Sequence, residues 1–304
     1  MEYILKTDGL TKRYGKKITA VDHVNIRLKQ GEIYGFIGRN GAGKTTTMKM
    51  ICGLAGISEG TVSLFGKTGR EAEELKSRIG CLIENPGLYL NMTAYENVKA
   101  KCICVGIKKK GYIEDILKIV GLSDTGKKQV KNFSLGMKQR LGIALALVGD
   151  PDILMLDEPI NGLDPQGISE IRETILRLNK ERNITVFISS HILEELSKIC
   201  TCYGIIEKGR LACELSHDEL MDKCKSCVVV MTDNPEAALP VLDKMGYQNY
   251  KVVDKTTIEI YDNIDNTSDV IQNLAASMVS VSSVYEKNKS VEDFFLQFIS
   301  NGEE

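Results

Sequence analysis

The chain has 304 residues, 43% of them hydrophobic and 26% charged, with a net charge of −2. That composition fits a globular protein of about two domains and gives no broad electrostatic basis for binding nucleic acid. No apolar run approaches the roughly 20 residues of a bilayer span, and Met1–Lys6 lacks the apolar core of a signal peptide, so a cytoplasmic protein is expected. Nine cysteines do not make a disulfide framework in a chain this long. Cys102/Cys104 and Cys200/Cys202 are too close within each pair for an easy bridge. Cys224-Lys225-Ser226-Cys227 can be read as redox-active or as half a zinc site, but reduced cysteines usually pack as small buried hydrophobes, which is the expectation here.

In chain order, residues 3–31 read as strands that lead to Ile33-Tyr34-Gly35-Phe36-Ile37, apolar enough for a buried strand. Tyr14, in Leu10-Thr11-Lys12-Arg13-Tyr14-Gly15, can stack on a flat base, although a lone surface tyrosine carries little weight. Gly38-Arg39-Asn40-Gly41-Ala42-Gly43-Lys44-Thr45 follows and reads G-x-x-x-x-G-K-T; Thr46-Thr47-Met48-Lys49-Met50-Ile51-Cys52 can then be a helix. Strand, loop and helix are the context the phosphate-binding P-loop requires. Glycines let backbone N–H groups approach an anion, and the helix N-terminus adds its positive end. Lys44 can reach the β- and γ-phosphates, and the Thr45 hydroxyl can bind Mg²⁺.

Ser58–Gly66 reads as a turn and strand, Arg70–Arg78 as a charged helix, and Ile79-Gly80-Cys81-Leu82-Ile83 as a short strand. It ends in Glu84-Asn85-Pro86-Gly87, a loop marked by Pro-Gly. From Thr93 to Asp124 the pattern is helical, opened by the capping-box spacing Thr93-Ala94-Tyr95-Glu96. Ser134 is a candidate N-cap for an apolar helix running to Val148, and with Gly136 it makes a second possible anion site. Ile153-Leu154-Met155-Leu156 suits a strand buried on both faces, and Asp157-Glu158-Pro159 ends it with two carboxylates that packing does not explain. Ligands of open α/β sheets bind beyond the carboxyl ends of strands. There Asp157 can hold Mg²⁺ and Glu158 can orient or deprotonate a water. Asn161–Pro165 is a turn, Ser169–Lys180 a helix with Ile171, Ile175 and Leu178 on one face, and Thr185–Ser190 a further buried strand. His191 ends that strand as Asp157 ends the earlier one.

Residues 217–304 change character. Strands at Val228–Met231, Tyr250–Val253, Thr257–Tyr261 and Val279–Tyr285 alternate with helices at Pro235–Met245 and Thr267–Ser277 as β-α-β-β-α-β. That order suggests a small split-βαβ module, ferredoxin-like or similar. A last helix, Val291–Ile299, offers Phe294, Phe295 and Phe298 as core contacts.

The P-loop, the serine–glycine helix start, the Asp-Glu strand end, the Asn-Gly-Leu-Asp turn and the strand-end histidine together resemble the nucleotide-binding subunit of ABC transporters. The resemblance implies an α/β P-loop NTPase cassette over 1–216, with a RecA-like core and a helical subdomain at about 85–150, and an accessory α+β domain over 217–304. It implies ATP and Mg²⁺ as ligands. Tyr14 looks like the adenine-stacking aromatic, Gly38 to Thr45 with Thr46 the nucleotide cradle, and Ser134 and Gly136 the signature motif. Asp157 and Glu158 match the metal-binding aspartate and catalytic glutamate, Asp164 the aspartate of the turn after it, and His191 the switch histidine. Glu84 stands where the family has a glutamine, and Leu135 where it has a glycine. A carboxylate at Glu84 is then expected to ligate Mg²⁺ or water. The implied reaction is ATP hydrolysis with Lys44, Glu158 and His191 as the catalytic residues, and with Ser134 and Gly136 of a second, head-to-tail copy closing the site. Integral membrane permease subunits are the implied partners, with the chain on the cytoplasmic face of the membrane and no nucleic acid involved. Cys81-Leu82-Ile83-Glu84-Asn85-Pro86, Phe133-Ser134-Leu135-Gly136-Met137 and Ser290–Phe295 look like the bacitracin-resistance and lantibiotic-immunity subgroup, whose membrane subunits remove antimicrobial peptides. The rivals are a soluble ATPase of the same type acting on nucleic acid or ribosomes, and an inactive regulatory module. Proteins of the first kind usually carry two cassettes or a long coiled-coil insertion, neither of which this sequence shows, and the second is opposed by the retained Lys44, Asp157, Glu158 and His191.

Overall fold

A computed structural model describes residues 3–15, 17–262, 267–287 and 290–300, with side chains to 296. The chain divides into two units, Met1–His217 and Asp218–Glu304. In the first, β1 (Tyr3–Tyr14) pairs antiparallel with β2 (Ile18–Val24) and β3 (Arg27–Lys29). Next come β4 (Ile33–Ile37), α1 (Lys44–Ile51), β5 (Glu59–Leu64, also paired to β1), α2 (Gly69–Leu75) and β6 (Ile79–Leu82). The helical segment holds α3 (Ala94–Val105), α4 (Tyr112–Ile119) and α5 (Leu135–Leu147). Then follow β7 (Ile153–Asp157), α6 (Pro165–Arg182), β8 (Thr185–Ser190), α7 (Leu193–Ser197), β9 (Cys202–Glu207) and β10 (Arg210–Ser216).

The six-stranded sheet has the order β10-β9-β4-β8-β7-β6, parallel except at the β10 edge. β4, β7 and β8 are buried at every position, as unbroken apolar runs in a sheet covered on both faces should be. Register packs Tyr34 beside Phe187 with rings stacked 5.0 Å apart, and Phe36 lies 5.3 Å from the same ring. Full burial of one such side chain stabilises by about 1.5–3 kcal/mol, so these adjacent strands form a stiff base. All three end on the same side of the sheet.

Two elements differ from the sequence pattern. The helical run from Thr93 breaks into α3 and α4 because Gly106 and Gly111 both take left-handed φ, 78° at each. α6 starts at Pro165 rather than near Ser169, since Asp164 caps it and proline suits the first helical position.

α8 (His217–Lys223) precedes the second unit's sheet. β11 (Cys227–Thr232), α9 (Pro235–Lys244), β12 (Tyr250–Val252), β13 (Thr257–Ile260), α10 (Thr267–Ala276) and β14 (Val281–Lys287) follow, then α11 (Val291–Ser300). The sheet order β12-β13-β11-β14 is antiparallel throughout, the arrangement of a split βαβ. Val228, Val230, Leu242, Ile258, Ile260 and Leu274 form its core. Phe294 and Phe295 are buried; the Phe298 side chain lies outside the described residues.

Candidate active site

The loop from Gly38 to Gly43 leaves β4 and enters α1 with little space to spare. A Cβ on Gly38 would lie 2.4 Å from the Ile206 carbonyl, and one on Gly43 would lie 2.7 Å from that of Ala20. Gly43 also has φ 109°, which side chains rarely adopt. No side chain caps α1 and its first turn holds no acid, so its first N–H groups remain available to an anion. Arg39 and Asn40 are exposed and Ala42 is buried. Thr46 is half-buried behind Thr45.

Lys44 is 5% exposed and its ammonium has three neighbours. Nζ donates to the carbonyls of Gly38 at 2.6 Å and Arg39 at 3.2 Å, and lies 3.0 Å from Glu158 Oε1. That oxygen is buried and accepts no hydrogen bond of good geometry, so its contact with Lys44 is an ion pair. Glu158 Oε2 is 2.9 Å from His191 Nδ1. Glu158 itself takes a left-handed φ of 49°, a strained setting for a residue with a side chain, of the sort that gathers at functional sites. Its N–H is held by the Ser189 carbonyl at 3.2 Å and the Ser189 hydroxyl at 3.0 Å.

A second cluster lies alongside. Thr45 Oγ1 donates to Asp157 Oδ2 at 2.8 Å, and Ser189 Oγ donates to Asp157 Oδ1 at 2.6 Å. Asp157 and Ser189 are register partners on β7 and β8, so the sheet itself sets this contact. Ser189 has no mark in the sequence beyond standing two residues before His191. From its place opposite Asp157 it orients the Asp157 carboxylate and holds the Glu158 backbone N–H. A hydroxyl and a carboxylate side by side are hard oxygen donors of the kind Mg²⁺ takes together with phosphate oxygens and water, so Thr45 and Asp157 fit that ion.

Glu84 does not join this pair. It follows edge strand β6 with φ 61°, and its carboxylate meets Lys49 Nζ of α1 at 2.5 Å. That bond holds the Lys49 ammonium above its usual range. Glu84 therefore links the P-loop helix to β6.

Tyr14 is half exposed, with Lys12 Nζ 5.0 Å from its ring centroid. Ser134 caps α5 by accepting from the Met137 N–H at 3.2 Å, and Asp164 caps α6 by accepting from that of Gly167 at 3.0 Å. The two helix starts touch. A Cβ on Gly136 would lie 3.7 Å from Gly167 Cα, and one on Gly162 would lie 3.5 Å from Leu135 Cδ2. Leu135, in the place of a glycine, is otherwise half exposed. Among the described residues no group of three or more His, Cys, Asp and Glu is placed to hold a metal ion, and no helix is long and apolar enough to cross a membrane.

The ABC transporter family matches residues 21–161. The bacitracin transport ATP-binding protein BcrA of Bacillus licheniformis is 42% identical over 304 residues, 99% of each chain. The lantibiotic transport ATP-binding protein SrtF of Streptococcus pyogenes is 42% identical over 215 residues, 71% of this chain and 92% of that one. A solved dimeric, post-hydrolysis ATP-binding cassette bound to ADP and Pi has a TM-score of 0.63 at 25% identity, over 70% of this chain and 98% of that one. With likeness along nearly its whole length and a phosphate cradle facing two carboxylates and a histidine, the chain belongs to the ATP-binding subunits of ABC transporters, ATPases that drive transport.

Proposed function

We propose that the chain hydrolyses ATP to power separate membrane subunits that expel peptides of the bacitracin or lantibiotic type. The observation that carries the ATPase chemistry is the meeting of Lys44, Glu158 and His191 beside Thr45, Asp157 and Ser189, at the ends of three adjacent strands. The substrate class rests on the relatives named for bacitracin and lantibiotic transport.

ATP binding exchanges the partners of Lys44: the ammonium leaves Glu158 and meets the β- and γ-phosphates, while the N–H groups at the start of α1 take further phosphate oxygens. Tyr14 stacks on the adenine. Thr45 and Asp157 would hold Mg²⁺, which would supply positive charge against the phosphates. Freed from Lys44, Glu158 accepts a proton from the attacking water. His191 keeps one oxygen of Glu158 engaged and so fixes the direction of the other, and lies ready to contact the γ-phosphate. Most of the rate enhancement then comes from positioning and preset charge rather than covalent chemistry.

Ser134 caps α5, and Gly136 in its first turn lies against Leu163 and Gly167. We infer that they serve the nucleotide of a second copy arranged head to tail; that a similar cassette bound to ADP and Pi is dimeric supports the pairing of two copies. The test is the purified chain with its candidate permease in detergent. Magnesium-dependent ATP cleavage, stimulated by bacitracin or a lantibiotic, is expected. No cleavage with the permease bound would refute the enzyme reading; cleavage indifferent to every peptide of these classes would refute the substrate class alone.

A further inference from the structure

α5 rests on the start of α6 at its own first turn, where Leu135 lies against Gly162, and Gly136 against Leu163 and Gly167. A helix held at one point can pivot; a second point fixes its line. Arg140 supplies that point, six residues after Ser134 and so about 9 Å further along the axis. Its side chain is largely buried, and its guanidinium joins α5 to both α4 and α6. Nη1 donates to the carbonyls of Gly121 at 2.9 Å and Val120 at 3.3 Å, at the C-terminal end of α4. Nη2 lies 3.0 Å from Glu170 Oε2 of α6. The other Glu170 oxygen accepts from Gln166 Nε2 at 3.0 Å, which ties the pair to the first turn of α6, beside Gly167. Arg177, further along α6, donates to the Ile119 carbonyl at 3.4 Å. Three successive carbonyls at the end of α4 thus meet two cations, the charge that end of a helix favours. Gly121 takes φ 66°, and a Cβ there would lie 2.8 Å from Arg140 Nη1, so the bend that ends α4 also makes room for the guanidinium. Arg140 Nε is buried and has no partner. An unpaired buried donor costs stability that an apolar side chain of similar size would not lose, so packing alone does not account for an arginine here.

We propose that Arg140 is a positioning residue for the two-copy reaction: with Glu170 it sets the line of α5 on α6, and so the place that Ser134 and Gly136 offer to the nucleotide of the second copy. It touches no nucleotide and acts only through α5. The planar fork matters because it reaches the α4 carbonyls and the Glu170 carboxylate at once, in directions a point-like ammonium cannot hold together. The role rests on Ser134 and Gly136 serving a second copy, and it is independent of what the chain transports. A misplacement of about 1 Å in such a contact can cost about 100-fold, so a modest pivot of α5 is enough to weaken the pairing of two copies while leaving the P-loop of each untouched.

The test is sedimentation velocity of the purified full chain with Mg²⁺ and ATP over a range of chain concentrations, in the Glu158→Gln background so that ATP stays uncleaved. Arg140→Lys and Glu170→Gln should each raise the dimer dissociation constant by at least about tenfold. ATP affinity, measured by equilibrium dialysis where only single chains sediment, should stay within about twofold of the background. The double variant should lose less than the product of the two single losses, because both act through one contact. Arg177→Met is the control: it removes a bond to the same end of α4 but leaves the α5–α6 link whole, so it should lower the unfolding midpoint and leave the dimer constant alone. Glu170→Gln carries the test by itself if Arg140→Lys does not fold. Dimer constants unchanged in the Arg140 and Glu170 variants overturn the positioning role, as does an equal loss in Arg177→Met, which would show general loosening. A Glu158→Gln chain that never associates with ATP would instead overturn the two-copy reading, and this role with it.

Discussion

Glu158→Gln tests the competition built into the nucleotide site. Lys44 Nζ and Glu158 Oε1 are 3.0 Å apart, with both side chains largely buried. At an effective dielectric of about 20, two unit charges at that distance attract by about 5.5 kcal/mol. Desolvation of both ions takes back much of this, and Lys44 keeps two carbonyl acceptors when the carboxylate is gone. A net loss of about 1–3 kcal/mol in the nucleotide-free stability is therefore expected. The same pair must break before Lys44 can meet a phosphate. Whatever stability the substitution removes without nucleotide returns as ATP affinity, between about fivefold and about 150-fold tighter. Hydrolysis should fall by about 10²–10⁴, because the amide cannot take the proton from water. Denaturant unfolding without nucleotide, calorimetric titration with Mg²⁺ and ATP, and phosphate release measure the three quantities. Unchanged stability together with unchanged affinity would show that the ion pair does not gate the site. Hydrolysis within about threefold of the parent would remove Glu158 from the chemistry.

Ser189→Ala strips Asp157 Oδ1 of its donor and the Glu158 N–H of one acceptor; a loss of about 1–3 kcal/mol and a higher Mg²⁺ requirement for turnover are expected. Asn97, 2% exposed, binds the Tyr89 N–H and the carbonyls of Tyr89 and Thr93. Asn97→Ala should cost about 2–4 kcal/mol in chemical unfolding while nucleotide affinity stays at the parent value. Gly136→Ala meets only ordinary contacts at 3.7 and 3.8 Å within its own chain, and alanine favours a helix by about 1 kcal/mol. The variant should be at least as stable as the parent yet fail to associate with ATP in light scattering; intact association would remove Gly136 from the dimer contact. The Thr93 backbone and hydroxyl hold Glu96 below its usual 4.5. A depressed carboxylate contributes stability that is present above the unfolded value and lost as pH falls through the folded one. Amide protection in the first turn of α3 should therefore decline as pH drops below 4.5, and Glu96→Gln should remove that decline.

The sequence made contiguous chemistry legible and left spatial pairing hidden. Gly38 to Thr45 is a pattern whose spacing alone carries its function, and Asp157-Glu158 is conspicuous because two carboxylates end an apolar run. Ser189 is invisible by the same logic: a serine at the end of a buried strand looks ordinary until register sets it opposite Asp157. Glu84 shows the converse. Its place in the family pattern directs attention to the metal, but spacing says nothing about which side of an edge strand a carboxylate takes, and here it takes the side of Lys49. The start of α6 was hidden because its first turn buries no large apolar residue and rests on the Asp164 cap.

That cap also bears on how the two halves of the surface communicate. The turn after Glu158 is held by the Asn161 N–H on the Glu158 carbonyl and the Leu163 N–H on that of Ile160. It then presents Gly162 to Leu135 and Leu163 to Gly136 at the start of α5. The carboxylate that must release Lys44 therefore begins the same short segment on which α5 rests. Glu158 sits at a left-handed φ, so any change in its backbone on losing Lys44 is passed into a turn with few free dihedrals before Asp164 and Pro165 fix the helix. Leu135 matters here in a way glycine would not: its side chain reaches Gly162 and couples α5 to the turn by packing. Leu135→Gly should then leave ATP binding at Lys44 intact and loosen α5 from the turn, seen as faster amide exchange in the first turn of α5. Exchange unchanged from the parent would show that the leucine carries no such coupling.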